Sequence, residues 1–149
     1  YRHIAIDCDG DAIQHAAKHN PNSSTIYIHD NAADPASSKH YPDPVDIVLL
    51  RHPEIWCFGT SMWERNEDIW FDMVKHAWAK SHPGSQVVIT TYNEKEFKLV
   101  VSTFNYLPQS TITMSSINPH RNQTLTRWNH RTDTENCPDY YLVRIKKAT

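Results

Sequence analysis

The chain carries an apolar run that ends in an acid, Ile4-Ala5-Ile6-Asp7, and leads directly into a helix-period segment from Asp11 to His19. The same change from strand-length apolar run to helical spacing returns at Val45–Leu50 and at Val87–Thr91. Such alternation predicts an open α/β sheet, mostly parallel, with helices between its strands. Ligands of such sheets bind at the carboxyl ends of the strands, which makes Asp7 the first candidate functional residue. Glycine-rich turns are missing, since Gly10, Gly59 and Gly84 are the only glycines.

The remaining segments follow from local chemistry. Ala12, Ile13, Ala16 and Ala17 form the apolar stripe of the first helix, and Asn20-Pro21-Asn22 stops it. Thr25–His29 is β-branched and aromatic, so it reads as a strand, ending at Asp30-Asn31-Ala32. The polar, proline-containing stretch from Ala33 to Pro44 reads as a surface loop. Val45–Leu50 is almost continuously apolar, as in a central strand covered on both faces, and closes in Arg51-His52-Pro53.

A core-facing helix is expected to carry Trp63, Ile69, Trp70, Met73, Val74, Ala77 and Trp78, ending at His82-Pro83-Gly84. Gln86–Thr91 is then a buried strand. Asn93 is placed to cap a helix whose buried stripe is Phe97, Val100, Val101 and Phe104. Ser110–Ile117 and Asp139–Lys146 are two strands with no helix between them, which predicts an antiparallel hairpin at the sheet edge. Between them, Asn118–Pro138 is long, polar and unpatterned.

At 149 residues the chain suits a single domain spanning residues 1–149. The net charge of -2 leaves no electrostatic footprint that would indicate nucleic acid. Apolar residues are spread out, and no window approaches the length of a membrane span. Cys8, Cys57 and Cys137 are odd in number and widely spaced. That pattern predicts reduced thiols in a cytoplasmic setting rather than a disulfide framework.

Taken in order, these segments resemble a class I S-adenosylmethionine-dependent methyltransferase entered partway through its fold. His3–Asp7 with Asp11-Ala12-Ile13 and Ala16 resembles the second strand and following helix of that family. Ile28-His29-Asp30-Asn31-Ala32 resembles the end of its third strand, and Val45–Leu50 with Arg51-His52-Pro53 its fourth. Trp70–Ala77, Pro83-Gly84 and Val87–Thr91 resemble its next helix, turn and fifth strand, and the last two strands its closing hairpin.

The resemblance implies a three-layer Rossmann-like sheet, S-adenosylmethionine as cofactor and an acceptor that the sequence does not identify. It implies that Asp7, beside Cys8, accepts hydrogen bonds from the ribose hydroxyls. Asp30 or Asn31 would meet the adenine amino group, with Ala32 against the ring, and Arg51 and His52 would face the methyl acceptor. The family's first strand and glycine-rich turn are not in this sequence. The resemblance therefore implies a domain incomplete at its N-terminal side, its sheet completed by an upstream segment or a second chain, or else a degenerate relative.

Two other readings compete. Asp7-Cys8-Asp9-Gly10-Asp11 resembles the first motif of haloacid-dehalogenase-type phosphatases, with Asp7 and Asp9 as the working acids. That family's usual threonine after the glycine is replaced by Asp11, and no paired acidic motif closes the chain. The second reading is a non-catalytic binding domain on the same sheet. Arg121, Arg127, Trp128, His130 and Arg131 lie in the long polar stretch, where a lone tryptophan makes no stacking platform for RNA. His15 and His19 share a helix face but lack a third ligand in sequence, so they read as a surface pair.

Overall fold

The computed structural model describes residues 2–21, 24–32, 34–51, 56–58, 63–65, 67–91, 93–119 and 140–149. The chain begins with β1 (His3–Asp7), α1 (Gly10–His19) and β2 (Thr25–His29), where β1 and β2 pair in parallel. A short 3₁₀ turn at Pro35–His40 leads to β3 (Val45–Arg51), followed by a small antiparallel hairpin, β4 (Trp56–Phe58) with β5 (Trp63–Arg65). Next come α2 (Glu67–Ala79), β6 (Ser81–Thr91), α3 (Glu94–Phe104), β7 (Ser110–Ile117) and β8 (Tyr141–Lys147).

The larger sheet runs β3-β6-β8-β7, with β3 parallel to β6 and β8 antiparallel to both of its neighbours. The expected C-terminal antiparallel hairpin is therefore present, with β7 on the outside and β8 inserted beside β6. The described strands form a parallel pair, a mixed four-stranded sheet and the small hairpin. No described strand lies between β1 and β3, so each keeps one unpaired edge.

The core sits on one face of the larger sheet. Val87 and Ile89 of β6, Val143 and Ile145 of β8, Val74 of α2, and Val100 and Phe104 of α3 are all fully buried. Phe71 meets the Phe104 ring edge-on at 5.5 Å. Asn93 caps α3 as its position predicts, its side chain accepting the Glu96 N–H at 2.9 Å. At the other end of the core, the Trp78 indole donates to the Pro108 carbonyl at 2.9 Å. The Lys147 ammonium lies over the Trp78 ring and donates to the Trp78 and Ser81 carbonyls at the end of α2.

Three local expectations are corrected by the structure. Trp63 belongs to β5 rather than α2, because two three-residue strands are too short to produce a readable period. His82-Pro83-Gly84 does not end α2; the helix stops at Ala79 and these residues form a bulge inside β6. Gly84 takes a φ of +94° there, and the Ser85 hydroxyl donates to the Val45 carbonyl at 2.7 Å, which restores pairing with β3. Finally, β3 is covered on one face only. Val48 and Leu50 join the core, whereas Ile47 is 63% and Leu49 59% exposed.

The half formed by β1, α1 and β2 is thinly packed: α1 has no buried residue, and Ile13 and Ala16 are only half-buried. Stability therefore resides in the other half. Ile89→Ala is expected to lower unfolding free energy by about 2–5 kcal/mol in urea titration. Leu49→Ser, on the open face, should change it by less than about 0.5 kcal/mol.

Candidate functional site

Parallel pairing in register places Asp7, the last residue of β1, beside His29, the last of β2. The chain leaves both strands on the same side, and the Asp30 N–H donates to the Asp7 carbonyl at 3.1 Å. Asp7 and the Asp30-Asn31-Ala32 segment are thus neighbouring strand ends, about 4.8 Å apart by sheet spacing. The sheet brings together five of the expected residues: Asp7, Cys8, Asp30, Asn31 and Ala32.

Local hydrogen bonds fix the end of β1. Asp7 Oδ1 accepts the Asp9 N–H at 2.9 Å, and the residue is exposed. Asp9 is the N-cap of α1, with Oδ1 accepting the N–H groups of Asp11 and Ala12 at 2.9 and 3.1 Å. This engagement gives Asp9 a structural task that the phosphatase reading does not need. The His29 imidazole reaches the Cys8 carbonyl at 3.2 Å and lies against Gly10. A Cβ on Gly10 would come within 2.9 Å of that ring, so any larger residue there would make the His29 side chain shift. Cys8 is an exposed thiol.

The end of β2 is held by residues of the stretch Ala33–Pro44, whose composition is that of a surface loop. Asp34 caps the 3₁₀ turn by accepting the Ala36 N–H at 2.8 Å, and Pro35 starts it. From that turn, His40 Nε2 donates to Asp30 Oδ2 at 2.9 Å and the Ser37 hydroxyl to the Asn31 carbonyl at 2.7 Å. Just beyond it, the Tyr41 hydroxyl donates to the Ala32 carbonyl at 2.8 Å. Ser37 is 1% exposed. The readable signal was Asp34-Pro35 itself, an N-cap followed by a first-turn proline.

These contacts set the ionisation of the rim. Asp30 sits below the ordinary aspartate value of 3.8, chiefly because the Asn31 N–H donates to its Oδ1, with the Ser37 side chain and His40 adding to the effect. The Ser37 hydroxyl has one proton, and the 2.7 Å contact to the Asn31 carbonyl holds it, so its share on Asp30 is the weaker one. Tyr41 is raised above 10.0, first by burial and then by the charge of Asp30.

Arg51 ends β3 opposite Thr90 of β6, at the carboxyl end of the parallel pair in the larger sheet. His52 lies outside the described residues, as do Arg121, Arg127, Trp128, His130 and Arg131. His15 and His19 stack at 4.2 Å on the exposed face of α1. Among the described residues, no group of three or more His, Cys, Asp or Glu is placed to hold a metal ion. Nor is any described helix long and apolar enough to cross a membrane.

Solved structures share the fold. An rRNA methylase from Streptococcus thermophilus superposes with a TM-score of 0.62 at 13% identity, over 99% of this chain and 74% of its own. A Streptococcus mutans protein assigned to the methyltransferases and crystallised with S-adenosylhomocysteine gives 0.61 at 18%, over 98% and 76%. For a SAM-dependent O-methyltransferase from Thermotoga maritima the values are 0.59 at 11%, over 99% and 50%. The chain has the class I methyltransferase fold. No protein-family model and no curated protein sequence matches it.

The lowered pKa of Asp30 means that its ionised form favours the folded state. That contribution is present above 3.8 and is lost as pH falls through the lower folded value. In urea titrations, the stability difference between wild type and Asp30→Asn should be constant above about pH 5 and shrink progressively in more acidic solution.

Proposed function

We propose that this domain binds S-adenosylmethionine at the joined ends of β1 and β2 and serves methyl transfer to an acceptor beside β3. The observation that carries the reading is the pair of adjacent strand ends, with the Asp7 carboxylate on one and Asp30-Asn31-Ala32 on the next. A nucleoside needs that pairing, with an ionised acceptor for its ribose hydroxyls and a polar and flat surface for its base one strand away. The exposed Asp7 carboxylate is the ribose acceptor, with Cys8 beside it. Asp30 and Asn31 face the adenine amino group, and half-buried Ala32 lies against the ring. The structural neighbours that carry S-adenosylhomocysteine support the choice of cofactor.

When bound, S-adenosylmethionine supplies an electrophilic methyl group on a sulfonium. The protein's part is then alignment, since such a displacement depends mainly on holding acceptor and methyl in line. Arg51 is assigned to orient the acceptor, and His52 to orient it or take its proton. The reading includes a further strand between β1 and β3, brought by an upstream segment or a second chain. The unpaired edges of β1 and β3 among the described strands support it. Two of the neighbours are named as acting on rRNA, so the acceptor class stays open to nucleic acid as well as to small molecules and proteins.

Titration calorimetry with S-adenosylhomocysteine tests the proposal, with binding as the expected result. Asp7→Ala should weaken that binding by about tenfold or more, as loss of a charge-assisted hydrogen bond would. Equal affinity in wild type and Asp7→Ala would remove Asp7 from the site. A folded wild-type chain that fails to bind would overturn cofactor binding by this chain and favour the degenerate domain.

A further inference from the structure

We propose that the 3₁₀ turn acts as a clasp that presets the adenine-facing wall, with Ser37, His40 and Tyr41 as positioning residues. The inference rests on the cofactor reading above and deepens it. Asp30, Asn31 and Ala32 are consecutive residues just past the end of β2, where backbone bonds remain only from the Asp30 N–H to Asp7 and from the Asp34 N–H to Asn31 among those described. Each also receives a bond from a different side chain: His40 on the Asp30 carboxylate, Ser37 on the Asn31 carbonyl and Tyr41 on the Ala32 carbonyl. One residue of the clasp for each residue of the wall is more than a loop needs merely to stay attached.

The clasp is itself fixed at both ends. Asp34 and Pro35 set its start, and the Lys80 ammonium donates to the carbonyls of Ser38 and Tyr41 at 2.6 and 3.4 Å. Lys80 joins α2 to β6, and the Val45 N–H donates to its carbonyl at 3.0 Å. The wall is therefore referenced to the well-packed half of the molecule, although its own half is thinly packed. A wall ordered in advance spares the ligand the ordering entropy that a free strand end would impose on binding. Asp30 keeps acceptor capacity for a base amino group, because each carboxylate oxygen has a second lone pair beyond the one already engaged.

Two measurements on the whole chain test the clasp. In calorimetry with S-adenosylhomocysteine, His40→Ala and Tyr41→Phe should each weaken binding by about tenfold. His40→Gln, whose amide nitrogen reaches the same position, should restore most of the loss. Without ligand, hydrogen exchange at the amides of residues 30–32 should accelerate in His40→Ala and Tyr41→Phe while the amides of β6 stay protected. With a binding wild type, unchanged affinity in both variants overturns the proposal. A wild type that does not bind overturns the cofactor reading instead. Exchange then decides the clasp alone, and unchanged protection at residues 30–32 sinks it.

Discussion

Val87 and Ile89 on β6 are completely shielded from water, and that shielding organises most of the molecule. On one edge β6 holds β3 in parallel; on the other it holds β8 antiparallel. Over its buried face lie α2 and α3, contributing Val74, Val100 and Phe104. Apolar burial of this kind is the dominant favourable term in folding, and here it is concentrated in one half of the chain. The half with the candidate nucleoside site buries little of its own surface. It depends on contacts such as Lys80 to the 3₁₀ turn for its place.

The division explains what could be read from the sequence. Thr25–His29 and Ser110–Ile117 coincide with their strands because β-branched residues and turn formers bound them sharply. Asn93 was legible as a cap because the chemistry is local. The β6 bulge was not: Pro83-Gly84 reads as a stop, and only the Ser85 bond to Val45, forty residues away, shows that the strand continues around it. Val45–Leu50 read as a central strand because its composition is that of one. Nothing in composition says which neighbouring strands are present.

The candidate site divides along the same line. Asp7 and the polar end of β2 were visible as strand-terminal polar residues, and parallel register brings them side by side. Ser37, His40 and Tyr41 were not visible, since their role comes from contacts with carbonyl and carboxylate groups several residues back. A serine in a polar loop carries no mark that it will be almost wholly buried. The methyltransferase fold accounts for the placing of the strand ends. The side chains beneath them account for how those ends are held.

The position of β8 has a consequence for synthesis. Among the described strands β7 pairs with β8 alone, and β8 lies between β7 and β6. A chain emerging from the ribosome presents β7 before β8 exists, with the apolar side chains of Ile112 and Met114 unmatched. The sheet closes only when β8 enters the gap, like a keystone set last, and until then β6 too has an open side. Translation thus leaves a nascent intermediate with two unpaired strand edges, the state in which binding by a chaperone would matter most.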